Sequence, residues 1–315
     1  MNLAHIHIIL NHFPTIGTVI GLALFVLALV GKNNELKRFA LGLFLITGIL
    51  VIPTYLSGTA ASEIIIERVD TSEALIQTHQ DDALIAFLFA GVTAVFAWLG
   101  LWEIRRFGAE KKWNSTVVLV LGIVTVLLMI NTGTAGGEIA HPEIRPLDPS
   151  TGLPLEATLN PGSITAAIED FIILRAWVWP TAEIIHFLSM ALLFGVVILI
   201  NLRMLGILKR ISYASLHALL PLGMAAFVVN LLTGMLFFIG NSAQYTSNIS
   251  FLGKIVLVLV GGLSIIYFTV FDDVWAVQAD DVPPMTAKIM AASTIALWFG
   301  VIYFGRMMPF LGNSF

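Results

Sequence analysis

Eight apolar stretches constrain this chain more than any other feature. They run over about residues 8 to 30, 39 to 60, 83 to 104, 115 to 135, 181 to 202, 216 to 239, 251 to 271 and 288 to 308. Each is close to the roughly 20 residues that a helix needs to cross a bilayer. Hydrocarbon offers no water to unpaired backbone groups, so each run is expected to be helical, and none shows the roughly ten-residue alternation of a barrel strand. Charged residues make up 11% of the 315 residues, against about 25% in a soluble domain. The expected fold is an all-α integral membrane protein of eight transmembrane helices.

The first run has no basic leader and no A-x-A cleavage site, which predicts a retained helix and not a signal peptide. Orientation follows from the basic residues, which are held on the cytoplasmic side. Lys32, Lys37, Arg38, Arg105, Arg106, Lys111, Lys112, Arg203, Lys209, Arg210 and Lys288 fall on one side, against Arg68, Arg145, Arg175, Lys254 and Arg306 on the other. Both termini are therefore expected on the outer, periplasmic side of a bacterial inner (plasma) membrane. The Asp272, Asp273, Asp280 and Asp281 group reads as a solvated inner loop.

The Pro- and Gly-rich stretch after His141 divides the chain. The expected organisation is a four-helix membrane domain over 1–142, an outer loop over 143–178 and a second four-helix domain over 179–315. The halves repeat weakly. His12-Phe13 and His186-Phe187 open spans one and five, Ser57-Gly58 and Thr233-Gly234 close spans two and six, and His79 and Lys254 open spans three and seven. With four spans in each half, the two bundles are parallel repeats related by an axis along the membrane normal, unlike inverted transporter repeats.

With no cysteine in the chain, disulfides, thiolate-bound clusters and covalently attached haem are excluded. No basic stripe suggests nucleic acid. Six of the seven histidines, His5, His7, His12, His79, His141 and His186, map to the outer end, and only His217 to the inner. Ionisable residues in a membrane are functional candidates, although interfacial hydrogen bonding is the plain alternative. His12 and His79 sit at matching depths on separate helices and are the first-choice pair to clamp a metal or a b-type haem iron. His5 or His7 with His141 could form a second site. Glu183 lies three residues before His186 and is expected to orient it as a partner one shell out. Asn230, within span six, reads as packing.

The residues HIHIILNHFP at 5–14, Ser57-Gly58, His79 and TGTAGGEIAH at 132–141 resemble an uncharacterised family of four-helix bacterial membrane domains with a His-Phe-Pro opening and a closing Thr-Gly-x-x-Gly-Gly-Glu. The second half, with Trp177, Pro180, EIIHFLSMALLFG at 183–195, NLRMLG at 201–206, Pro221, Thr233-Gly234 and FLGK at 251–254, resembles another four-helix family distantly similar to copper-resistance D-type domains. The resemblance implies haem or copper handling, with His12, His79 and His186 as ligand candidates and His5, His7 and His141 behind them. Asn201 replaces the Asp usual in the second family, and Lys254 stands where the repeat calls for a second His, so a bis-His pair there is incomplete.

Three readings follow. The first is a cytochrome b, the quinone-reactive electron-transfer subunit of a membrane oxidoreductase. It carries one or two b-type haems and exchanges electrons between quinone and an extracytoplasmic c-type cytochrome or dehydrogenase. The second is a copper-binding or copper-transport protein, since imidazole suits copper. The third is a metal-free membrane anchor for a complex.

Overall fold

Turn chemistry and missing backbone donors set where these helices begin and break. The computed structural model describes residues 3–66, 72–141, 144–145, 164–270 and 280–311. Arg68, Asp272, Asp273 and most of the segment expected to be an outer loop lie outside them. The first apolar run is helical from Leu3, as α1 (Leu3–Leu10) and α2 (His12–Val30). The two meet at Asn11 because Pro14 has no N–H to offer the carbonyl four residues back. Lys32, at a φ of 49°, turns the chain into α3 (Asn34–Ile65). There the Asn33 side chain accepts from the backbone N–H groups of Glu35 and Leu36 at 3.0 Å each, satisfying two donors of the first turn. The next helix, α4 (Glu73–Phe107), stops at Gly108, whose φ of 79° suits a residue without a Cβ. The last long helix of this half is α5 (Lys112–Ala140).

The chain divides into two units, Met1–Asp170 and Phe171–Phe315. In the first, α2 packs on α3 and α5, α3 on α4, and α4 on α5, which closes a ring of four spans, while α1 lies on α3. Small residues permit this closeness. A Cβ on Gly48 would collide with Ala94 of α4. Thr93 and Thr125 meet across α4 and α5 at 3.0 Å, each hydroxyl also lying within hydrogen-bond distance of a carbonyl one turn back in its own helix.

At the end of this bundle away from the N terminus, Glu110 is buried among polar groups. Ser115 Oγ donates to it at 2.6 Å, Asn114 Nδ2 at 3.0 Å, and Lys37 Nζ lies at 3.4 Å.

Helix α6 (Ile164–Leu174) bridges the two units in sequence. It corrects the reading of 143–178 as loop throughout. Its apolar residues at 164, 168, 171, 172 and 174 are enough for an amphipathic helix, but the stretch is too short to read as a span. The second unit contains α7 (Val178–Met204), α8 (Tyr213–His217), α9 (Leu220–Gly240), α10 (Ser242–Ser247), α11 (Ile249–Val270) and α12 (Met285–Met307). Here α7 packs on α9 and α12, and α11 on α12. Asn248 caps α11, accepting from the N–H groups of Ser250 and Phe251, and donates to Met308 O at 2.9 Å, which ties the start of α11 to the end of α12. Buried Arg203 donates from Nε to Ile211 O at 2.6 Å and lies over the Tyr213 ring at 4.6 Å. His217 is buried beside this turn.

Among the described residues, eight helical segments are long and apolar enough to cross a membrane, and no strand occurs. By these helices the chain is a multi-pass membrane protein, with a lipid bilayer as its solvent.

Candidate metal centre

Two histidine rings of the first unit lie close together, edge to face. The His7 ring on α1 and the His79 ring on α4 have centroids 6.4 Å apart and planes inclined at 77°. Each is fixed by the same device. His7 Nδ1 donates to Thr54 O of α3 at 3.0 Å, and His79 Nδ1 donates to Thr132 O of α5 at 3.0 Å. A carbonyl only accepts, so each Nδ1 carries the hydrogen and each neutral ring leaves its lone pair on Nε2.

A glycine lies four residues after each threonine. In a helix a Cβ leans back towards the N terminus, so a side chain at that position would crowd the imidazole. A Cβ on Gly58 would lie 2.8 Å from His7 Cε1, and one on Gly136 would lie 3.0 Å from His79 Cε1. In both rings Nε2 is the nitrogen farther from that added Cβ, at 3.6 Å and 3.8 Å, with Nδ1 at 3.1 Å and 3.3 Å. Two hydrogen bonds and two glycine backstops therefore hold two imidazoles in the tautomer that binds a metal.

Gln80 and, past the end of α5, Arg145 add two polar contacts in this unit. Gln80, next to His79, donates to Ser62 Oγ at 2.8 Å and joins α4 to α3. Arg145 Nε donates to Glu138 O at 2.8 Å, within a turn of Gly136, while its Nη2 is buried and has no hydrogen-bond partner among the described residues.

In the second unit, His186 Nδ1 meets Thr233 Oγ1 at 2.8 Å. The Thr233 hydroxyl lies 2.8 Å from Val229 O, to which it can give its one hydrogen, so it accepts from the imidazole. The lone pair of His186 again falls on Nε2. Asn230 Nδ2 donates to His186 O at 3.0 Å and reaches Ser189 Oγ at 3.3 Å, so Asn230 fixes the histidine backbone besides packing. Gly234 lies opposite the ring, where a Cβ would stand 3.5 Å from Cε1.

The structure thus brings His79 together with His7 and not with His12, the partner expected from sequence. Helix begins at Leu3, before the apolar run does, and this carries His7 into the bundle, whereas the His5 and His12 side chains are exposed. His141 is exposed at the end of α5, its N–H bonded to Gly137 O at 2.8 Å. Glu183 is also exposed, and it is Thr233 that meets His186 Nδ1, which corrects the expected orienting role of Glu183. Sequence reasoning passed over Thr54, Thr132 and Arg145. The signal was present as two copies of Thr-x-x-x-Gly, Thr54 to Gly58 and Thr132 to Gly136, each on the helix that follows a histidine-bearing one.

No family model, curated protein or solved structure matches this chain.

Proposed function

We propose that this protein is a b-type cytochrome, an electron-transfer subunit of a bacterial inner membrane that binds haem between His7 and His79 near the outer face. Its partners in this reading are a quinone and an extracytoplasmic redox protein such as a c-type cytochrome or a dehydrogenase. The carrying observation is the close pair of imidazoles, each with Nδ1 held by a backbone carbonyl. Metal–imidazole bonds are about 2.0–2.1 Å. Two such bonds end to end, with ring radii of about 1 Å added, separate ring centres by roughly 6 Å, which agrees with the 6.4 Å between His7 and His79.

The donor set also fits an iron porphyrin better than a bare ion. A zinc ion takes three or four protein ligands, and among the described residues no three His, Cys, Asp or Glu side chains converge. A haem would bring four nitrogen donors of its own and would call on the chain for two more, the number of imidazoles present. The buried Nη2 of Arg145 is a suitable donor for a propionate carboxylate. Bound haem would carry one electron at a time, and the rest of the work falls to the chain. The carbonyls of Thr54 and Thr132 fix ring orientation and make Nε2 more basic. The apolar bundle would keep water from a bound haem, and Arg145 would offset the negative charge of its carboxylates.

The basic residues of the opposite loops support an orientation with both termini outside, and hence electron exchange with a partner on that side. The test is a dithionite-reduced minus oxidised visible spectrum of the purified chain after haem-replete expression, with a pyridine haemochrome assay and copper analysis by mass spectrometry. A sharp α band lost in His7→Ala and in His79→Ala is the expected result. A flat spectrum overturns the reading, and stoichiometric copper in its place brings the copper-binding alternative forward.

A further inference from the structure

Helix α6 has 11 residues. At about 1.5 Å per residue it is about 16 Å long, about half of what the roughly 30 Å hydrocarbon core of a bilayer requires, so it does not cross. Ile164, Ile168, Phe171 and Leu174 recur at i, i+4, i+7 and i+10, the spacing that sets them along one side of a helix. That side is largely bare, with Ile164 71% exposed, Phe171 49% and Leu174 73%. Glu169 and Asp170 are exposed on the other side, and Ile173 lies between them around the helix. A third edge faces the second unit. Ile172 is buried there, and a Cβ on Gly240 would stand 3.1 Å from its Cγ2 and 3.2 Å from Trp179 Cζ3, so the glycine that ends α9 admits both α6 and the start of α7.

We propose that α6 lies flat in the membrane–water interface, with the stripe of Ile164, Ile168, Phe171 and Leu174 dipping into the bilayer and the two acids in water, so that the lipid surface is the partner of this face. A helix of this kind sinks its apolar side about 5–10 Å into the boundary between headgroups and acyl chains. Three features select lipid as the occupant. The first is continuity. The Phe171 ring meets the Trp177 ring edge to face, with centroids 6.0 Å apart and planes at 87°, and α7 begins at the next residue, Val178. Ile184, Phe187 and Leu188 of that spanning helix are exposed, which sets them against acyl chains. The second is Trp177 itself, 61% exposed at the foot of a span, where an amphipathic ring settles at the level of the headgroups. The third is charge. Glu169 and Asp170 stay hydrated only if the helix lies along the surface, and exposed Arg175 can keep its stem on apolar surface and its guanidinium in water. This inference does not depend on the haem reading, and the haem reading does not depend on it.

The experiment uses the full chain in nanodiscs of phosphatidylcholine and phosphatidylglycerol. The chain has no cysteine, so a spin label attached in Ile164→Cys, Ile168→Cys, Phe171→Cys, Leu174→Cys, Glu169→Cys or Ile173→Cys reports from one known position. Electron paramagnetic resonance power saturation compares collisions with oxygen, which concentrates in lipid, and with a water-soluble nickel chelate. The four stripe positions are expected to favour oxygen and the other two nickel, so that the ratio swings with the helical period of about 3.6 residues. Ile173 is the sharpest position, because it is apolar and yet on the acidic side. A second measurement needs no variant. In nanodiscs doped with a diazirine phospholipid, illumination of the wild type should leave lipid adducts on residues 164–177, with residues 184–188 of α7 as the positive control. Nickel favoured at all six positions puts the stripe in water and overturns the inference. Oxygen favoured at all six makes α6 a segment sunk in lipid and overturns it too. Stripe labels shielded from both reagents, with no adducts on residues 164–177 of the wild type, give the face to a protein surface instead and overturn it as well.

Discussion

The rings of His7 and His79 stand 6.4 Å apart at 77°, and each holds its Nδ1 hydrogen on the backbone carbonyl of a threonine from another helix. This joins four segments, α1, α3, α4 and α5, at one point. His12, five residues on from His7, is exposed and outside that arrangement. Alanine at His7 or at His79 should therefore abolish the α band of one haem, whereas alanine at His12 should leave it within error. Difference spectra of the three variants, normalised to protein, check this directly. Loss in His12→Ala with retention in His7→Ala would restore the pair expected from sequence.

Gly58 and Gly136 serve as backstops. A methyl group at Gly58 would press on His7 Cε1 at 2.8 Å, closer than unbonded carbons approach. Gly58→Ala is expected to tilt the His7 ring and weaken haem retention by about 10- to 100-fold, the range seen when the groups supporting a metal ligand are disturbed. Competition for haem with an apo-globin measures it. By contrast Gly133, where a Cβ would meet nothing within 4 Å, should tolerate alanine with unchanged retention.

The architecture was legible because hydrocarbon imposes one solution on long apolar runs. The eight expected spans correspond to the eight candidate spans of the structure. The residue pairing was less legible, for a reason visible at α1. Hydropathy marks where lipid begins, near residue 8, but the helix continues outward to Leu3, so a span read from residue 8 leaves His7 outside it. Carbonyl partners were also hidden. A backbone acceptor such as Thr132 O has no residue signature, and only the glycine four residues later betrays it. The repeat puts Lys254 in the second half at the place that His79 takes in the first.

Thr233 carries the orientation of His186. Thr233→Val keeps the shape and removes the acceptor, leaving a buried N–H unsatisfied, so the second unit should lose about 1–3 kcal/mol. Thr233→Ser should keep most of it. Thermal unfolding of detergent-solubilised protein, followed by the Trp emission of the chain, provides the measurement. Equal melting temperatures for the valine variant and the wild type would show that the 2.8 Å contact contributes nothing.

Glu110 sets a pH dependence at the opposite end of the first bundle. Burial pushes its carboxyl above the usual range, and the Ser115 hydrogen bond and the Lys37 ammonium only partly offset that rise. The folded-state pKa therefore exceeds the unfolded one. The contribution of this group to stability is complete below the ordinary carboxylate value, about 4.3, and is lost as pH rises through the elevated folded value. Glu110→Gln keeps an acceptor for Asn114 and has no proton to release, so it should flatten the fall in stability across that interval. Lys37→Met should steepen it, because a buried carboxylate without its cation costs about 3–5 kcal/mol. Unfolding midpoints from pH 4 upward, compared among the wild type and these two variants, test the sign. A wild type whose stability rises with pH over the same interval, with Glu110→Gln losing that rise, would mean that the Lys37 pairing outweighs burial.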